Sequence, residues 1–170
     1  MSVLRPPRVE DADALHPLLV GSVVVETLLW DGPTSFDTYR EKWGQTVDAA
    51  ARGERHCFVI VNASGAPVGS ADLRPMSGVG PGAPFRADIG LWVGLPHHGQ
   101  GIGTAAVRAL VAYGFEKLAL DKIEASVFVG NLTSRRIFEK VGFALEGTIR
   151  NAVRKRGRLL DEWLFGLVRC

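Results

Sequence analysis

The sequence predicts a mixed α/β fold, a sheet flanked by helices, and three observations carry that expectation. Runs of β-forming residues alternate with runs whose apolar residues recur every three to four positions. Glycine, proline and asparagine fall mostly between these runs, where they punctuate rather than interrupt. The 170 residues, 46% of them hydrophobic, suit one domain over residues 1–170 with a substantial apolar core.

Val3 and Leu4 open a short strand that Arg5-Pro6-Pro7 ends, because proline brings no amide donor. Asp11 reads as the cap of a helix containing Ala12, Ala14, Leu15, Leu18 and Leu19. A less regular segment, Val23 to Trp30, leads to Gly32-Pro33. Ser35 then caps a second helix, with Phe36, Tyr39, Trp43, Val47 and Ala50 on one face and Gly53 past its end. Cys57 to Val61 and Pro67 to Leu73 form a hairpin about Asn62-Ala63-Ser64-Gly65. Pro75 to Pro84, dense in proline and glycine, reads as a solvent loop, with gating of a cleft as the alternative.

The stretch from Asp88 to Thr104 organises the chain. A strand ends at Gly94 to Pro96, Gly99, Gly101 and Gly103 follow, and Thr104, Ala105, Ala106, Val107 and Leu110 open a helix running to about Leu118. The first amides of a helix have no acceptor within it, glycines let an anion approach them, and the peptide dipoles favour negative charge there. Neither the P-loop lysine nor the distal glycine of a dinucleotide fingerprint is in register, so the turn suits a pyrophosphate carried by another ligand. Beyond it, Lys122 to Val129 alternates as a strand, with Ile123, Ala125, Val127 and Val129 on one side. Gly130-Asn131 ends that strand, and Thr133 to Val141 forms a helix stopped by Gly142. Strands from about Phe143 to Ile149 and Leu159 to Val168 close the chain around a basic turn at Gly157.

Two motifs, His98-Gly99-Gln100-Gly101-Ile102-Gly103 and the run Asn131-Leu132-Thr133-Ser134 to Glu139-Lys140-Val141-Gly142-Phe143, occur in an informative order and spacing. Through them the chain resembles the GCN5-related N-acetyltransferase superfamily, and within it the ribosomal-protein N-terminal acetyltransferases. The resemblance implies a mixed, mostly antiparallel sheet with a central splay between the strand ending at Gly94 and the one starting near Lys122. It implies acetyl-CoA as the acyl donor, with coenzyme A as product. The pyrophosphate would lie on His98, Gly99, Gln100, Gly101, Ile102, Gly103 and Thr104, although His98 stands where the family has Gln or Arg. Trp92, Val93 and Leu95 would pair by backbone with the pantetheine arm, and Asn131 would reach it by its amide, with helix capping as its alternative role.

For the chemistry, the resemblance points to Asp88 as general base, with Asp72 and Asp161 as competitors. Many members place a tyrosine seven residues after the motif asparagine, in the coenzyme site. Here Phe138 has no proton to give, and Ser134, one helical turn earlier, is the substitute acid, with a hydrogen bond to the preceding turn as its alternative role; a thiol of pKa ~8.5 is also a tolerable leaving group with no acid at all. Glu26, Trp30, Asp31 and Tyr39 are candidate acceptor contacts, each with an ordinary surface or core role as its alternative. The expected activity is acetyl transfer to a primary amine, of a small molecule or a protein N-terminus, with a homodimer admitted as its assembly. Two alternatives remain: a non-catalytic acyl-CoA sensor, which Phe138 would suit, and an RNA- or ribosome-associated structural protein.

Charge and cysteine content bound these alternatives. Twenty basic against eighteen acidic residues give a net +2, too small to imply a nucleic-acid binder. Arg150, Arg154, Lys155, Arg156 and Arg158 nevertheless crowd one turn, which is either a solvated hairpin or a contact for RNA or the coenzyme's phosphates. Cys57 and Cys170 form no ligand set, and His16, His56, His97 and His98 lack metal-site spacing, so no metal is expected. With neither a leader pattern nor a run of eighteen apolar residues, the expected location is the cytoplasm, with no membrane partner.

Overall fold

Strand and helix alternate in the computed structural model, which describes residues 3–76 and 84–169. In chain order these are β1 (Leu4–Arg5), α1 (Asp11–Leu15), α2 (Phe36–Ala51), β2 (His56–Val61), β3 (Pro67–Met76), β4 (Arg86–Val93), α3 (Ile102–Lys117), β5 (Lys122–Phe128), α4 (Leu132–Val141), β6 (Ala144–Lys155) and β7 (Arg158–Val168). The strands form one sheet in the order β1-β2-β3-β4-β5-β7-β6. Its β4–β5 pair is parallel, whereas β1–β2, β5–β7 and β6–β7 are antiparallel. The chain divides into two compact units, Met1–Asp72 with Leu91–Ala106, and Leu73–Gly90 with Val107–Cys170.

In the first unit, Ala12, Leu15, Leu19, Tyr39, Trp43, Cys57, Val59 and Val61 belong to one apolar cluster, with Trp92 packed against it. Ser35 caps α2 as expected, its side chain accepting from the Thr38 amide at 3.2 Å. Asp11 does not cap α1. It is the first helical residue, 3% exposed, and its carboxylate takes the Arg5 guanidinium at 2.8 and 2.5 Å and the Arg8 amide at 2.7 Å. The buried carboxylate is thus spent on joining the first strand to the first helix. The irregular Val23 to Trp30 segment contains a 3-10 turn, Val23–Thr27, capped by Ser22. Helix α3 opens at Ile102, two residues before the expected start, which puts Gly103 in its first turn.

The second unit contains most of the C-terminal sheet. The β4–β5 ladder pairs Arg86 with Lys122, Ala87 with Ile123 and Asp88 with Glu124, and does not continue at Ile89 and Gly90 although both strands do. Strand β7 pairs with β5 from Lys122↔Val168 to Phe128↔Glu162. Both last strands run further than expected, to a two-residue turn at Arg156-Gly157, because β6 absorbs two register shifts and keeps pairing. Gly142 stops α4 in the left-handed conformation, φ 103°, which glycine adopts without side-chain strain. Strand β3 extends through Pro75 to Met76, so those residues lie outside the expected loop. A proline near a strand end removes only one ladder donor. Residues 77–83 of that expected loop lie outside the described residues.

Candidate active site

In the first unit, β4 delivers the chain into a turn of unusual polarity. Gly94 lies under Leu18, so closely that an added Cβ would come 2.9 Å from Leu18 Cδ1, and its amide donates to the Val68 carbonyl at 2.8 Å. Leu95–His97 make a 3-10 turn with Pro96 at its second position. His98 folds back, Nε2 lying 2.7 Å from the Val93 carbonyl oxygen, and Gln100 Nε2 donates to the Pro96 carbonyl at 3.2 Å. Both side chains thus hold the loop from below.

The loop then crosses into α3 with Gly99 and Gly101 left-handed, at φ 74° and 78°, and a Cβ on either would meet nothing within 4 Å. The main-chain amides from Gly99 to Thr104 have no hydrogen-bond acceptor among the described residues. Ala105 is the first to bond back, to the Gly101 carbonyl at 3.0 Å. A run of unspent donors at the positive end of a sixteen-residue helix, beside glycines facing open space, fits a diphosphate. The structure therefore brings Trp92, Val93, Leu95, His98, Gly99, Gln100, Gly101, Ile102, Gly103 and Thr104 into one continuous strand, turn and helix start.

Asp88, Asn131, Ser134 and Phe138 belong to the second unit. Asp88 is ion-paired with Arg74, which donates through Nε and Nη2. Asn131 Oδ1 caps α4 by accepting the Ser134 amide at 3.1 Å, which leaves its side-chain NH2 without a hydrogen-bond partner among the described residues and available as a donor. The Ser134 hydroxyl makes no hydrogen bond among the described residues. Phe138 is 3% exposed, edge-on to Phe143 at 5.1 Å and stacked with Phe165 at 6.2 Å, so its ring belongs to the core of this unit. Arg135 lies over Trp163 at 5.0 Å and bonds Glu139 at 2.8 Å, which fastens α4 to β7.

Sequence reasoning passed over Glu162. It sits on β7 opposite Phe128 and Ile149, is 7% exposed, and its carboxylate has no hydrogen-bond partner among the described residues. Burial, and then the nearby Asp88 charge, push its pKa above the usual carboxylate range. The signal was present in the sequence: a glutamate stands between Leu160 and Leu164 on one alternating face of the strand. Among the acceptor candidates, Trp30 is exposed, whereas Tyr39 is buried and stacked on Trp43 at 6.3 Å. Burial raises the Tyr39 phenol far above its ordinary value, so it stays protonated.

The mixed sheet with a glycine turn ahead of a sixteen-residue helix has the fold of solved acetyltransferase structures. Residues 2–144 match the acetyltransferase (GNAT) domain, and the chain belongs to that family, which makes it an acyltransferase. It is 29% identical over 167 residues to the uncharacterized N-acetyltransferase p20 of Bacillus licheniformis, covering 98% of this chain and 92% of that protein. Among solved structures it is similar to a probable acetyltransferase, with a TM-score of 0.85, 29% identity and coverage of 98% and 92% of the two chains. It is also similar to RimJ of Mycobacterium smegmatis in complex with CoA-disulfide, with a TM-score of 0.79, 28% identity and coverage of 97% and 80%. No helix among the described residues is long and apolar enough to cross a membrane.

Proposed function

We propose that this chain is an acetyl-CoA-dependent N-acetyltransferase in which a primary amine attacks the thioester directly. The observation that carries the proposal is the run of unpartnered amides from Gly99 to Thr104, with two left-handed glycines open to a ligand. The RimJ complex with CoA-disulfide supports the same occupant. Acetyl-CoA, when bound, supplies an acetyl group activated as a thioester.

The residues divide the remaining work. His98 and Gln100 fix the turn so that its amides converge on the diphosphate. The amides of Trp92, Val93 and Leu95 serve the pantetheine arm. The Val93 carbonyl reaches it less freely because His98 occupies one of its lone pairs. The unspent NH2 of Asn131 donates to that arm. Within the second unit, Glu162 is the carboxylate suited to take the proton that the attacking amine must lose, since burial and the Asp88 charge hold its carboxyl above the usual range. Asp88 is committed to Arg74 and acts on Glu162 through its charge. Ser134 presents its free hydroxyl to the departing sulfur. An α-amine, with a pKa of about 8, is deprotonated far more readily than a lysine at about 10.4, so a single carboxylate suffices as base for an N-terminal acceptor.

Ligand-dependent melting tests the assignment. Acetyl-CoA at a hundred times its dissociation constant should add about 2.7 kcal/mol of stability, with NAD and ATP adding much less. Asn131→Ala should weaken the acetyl-CoA effect while the ligand-free protein stays folded. Equal protection by all three nucleotides would reject the proposal.

A further inference from the structure

From Gly147 to Leu160 the chain has five basic residues, Arg150, Arg154, Lys155, Arg156 and Arg158, and no acidic one. With a net charge of only +2 overall, the rest of the molecule is net acidic. The β6–β7 hairpin gathers the excess, with its four arginines exposed and Lys155 buried. Its register places Arg154 opposite Leu159 and Lys155 opposite Arg158, with Arg156-Gly157 between them. Arg150 precedes Asn151, a left-handed residue (φ 52°) within the second register shift, whose amide is tied to Asp161 at 2.8 Å. Arg150, Arg154 and Arg158 are exposed and make no ion pair among the described residues.

The turn itself is informative. Arg156 and Gly157 both have positive φ, 47° and 79°, as a type I′ hairpin turn demands. Asparagine, aspartate or glycine is the relaxed choice at its first central position, and arginine there is strained. The hairpin tip thus carries a charged side chain at a position where a smaller residue would relax the backbone.

We propose that this hairpin tip is a docking surface for an acidic polypeptide segment, and that the acetyl acceptor is therefore a protein bearing carboxylates. Arginine forks match carboxylates bidentately. Exposed Leu145, Ile149 and Leu159 on the same hairpin offer apolar contact that a polypeptide uses and a phosphate backbone does not. No aromatic residue occurs from Ala144 to Glu162, so the surface lacks the stacking groups by which single-stranded RNA is held. Only the identity of the docked chain as acceptor rests on the transferase function proposed above; the docking itself does not.

The test measures fluorescence anisotropy of labelled oligoglutamate, oligolysine and oligouridine RNA with the full chain, and with R150E/R154E/R158E. The milder R154Q/R158Q serves if the triple variant does not fold. Oligoglutamate should bind, more weakly as salt rises, and lose about tenfold or more in the triple variant. Oligolysine should gain. Melting with acetyl-CoA and turnover of a small free amine should be unchanged by the charge reversal, whereas KM for an acidic peptide amine should rise. Unaltered oligoglutamate binding in the variant would overturn the proposal. So would tighter binding of RNA than of oligoglutamate, or loss of acetyl-CoA protection in the variant, which would assign the arginines to the coenzyme. Oligoglutamate docking without any acetyl transfer by the wild type would refute the transferase function and leave the docking surface standing.

Discussion

His98 Nε2 sits 2.7 Å from the carbonyl oxygen of Val93, so the residue that opens the glycine turn is bonded to the strand end that precedes it. One side chain thereby sets the distance between the end of β4, proposed to serve the pantetheine arm, and the amides proposed to serve the diphosphate. His98→Ala should weaken acetyl-CoA binding roughly three- to tenfold, the worth of one net hydrogen bond. His98→Gln keeps a donor and should restore most of that loss. Calorimetric titration of both variants, beside their ligand-free melting points, separates loop positioning from general destabilisation.

Gly101 and Gly114 make opposite demands on a substitution. A Cβ at Gly101 meets open space at φ 78°, whereas at Gly114 it would come 2.9 Å from Ile123 Cδ1 and 3.2 Å from Leu120 Cδ1. Gly101→Ala should cost about 1 kcal/mol through the left-handed backbone and also lower acetyl-CoA affinity, since the methyl enters the anion's approach. Gly114→Ala should cost about 1–3 kcal/mol by overpacking and leave affinity alone. Urea titration with a parallel dissociation constant for each variant decides the matter.

Glu162 is protonated more readily in the folded chain than in the unfolded one. A raised folded pKa contributes stability below the unfolded carboxylate value, and that contribution is lost as pH rises through the folded value. At neutral pH the ionised side chain is therefore a burden, and Glu162→Gln should raise the melting point there while abolishing most acetyl transfer. The wild-type pH–rate profile should rise through a pKa above the ordinary carboxylate range, and that limb should vanish in the variant.

Glu124 behaves in the opposite sense. It is held between Lys122 at 2.9 Å and Arg86 at 3.0 Å, and Lys122 reaches on to Glu146 at 2.7 Å. Burial raises its pKa, but the two cations together outweigh burial and leave it below the usual value. Its contribution is then present above the unfolded pKa of about 4.3 and lost as pH falls through the folded value. Glu124→Gln should cost about 1–3 kcal/mol at neutral pH, shrinking in acid, whereas Glu146→Gln should cost about 0.2–1 kcal/mol because that pair is more exposed. Chemical denaturation across the acid range distinguishes the two.

Local chemistry explains what the sequence made legible. The glycine turn, the Ser35 and Asn131 caps and the Gly142 stop were all readable because each depends on residues within a few positions of one another. Long-range pairing hid the rest. That Asp88 meets Arg74 depends on pairing between strands, and that Glu162 lies beside Asp88's charge depends on β7 inserting between β5 and β6, which order along the chain does not reveal. Asp11 misled because a helix-start aspartate has the same sequence signature whether it caps the helix or, as here, binds an arginine from the preceding strand.

The most direct measurement is the stoichiometry of transfer. Acetyl-CoA is incubated with the protein and a panel of α-amines, lysine-type amines and small amines, while free coenzyme A thiol and acetylated amine are quantified together. One acetylated amine should form per thiol released, faster for α-amines at neutral pH and mostly abolished by Glu162→Gln. Saturable acetyl-CoA binding with no acetylated amine across the panel would contradict the proposed transferase and leave an acyl-CoA sensor in its place.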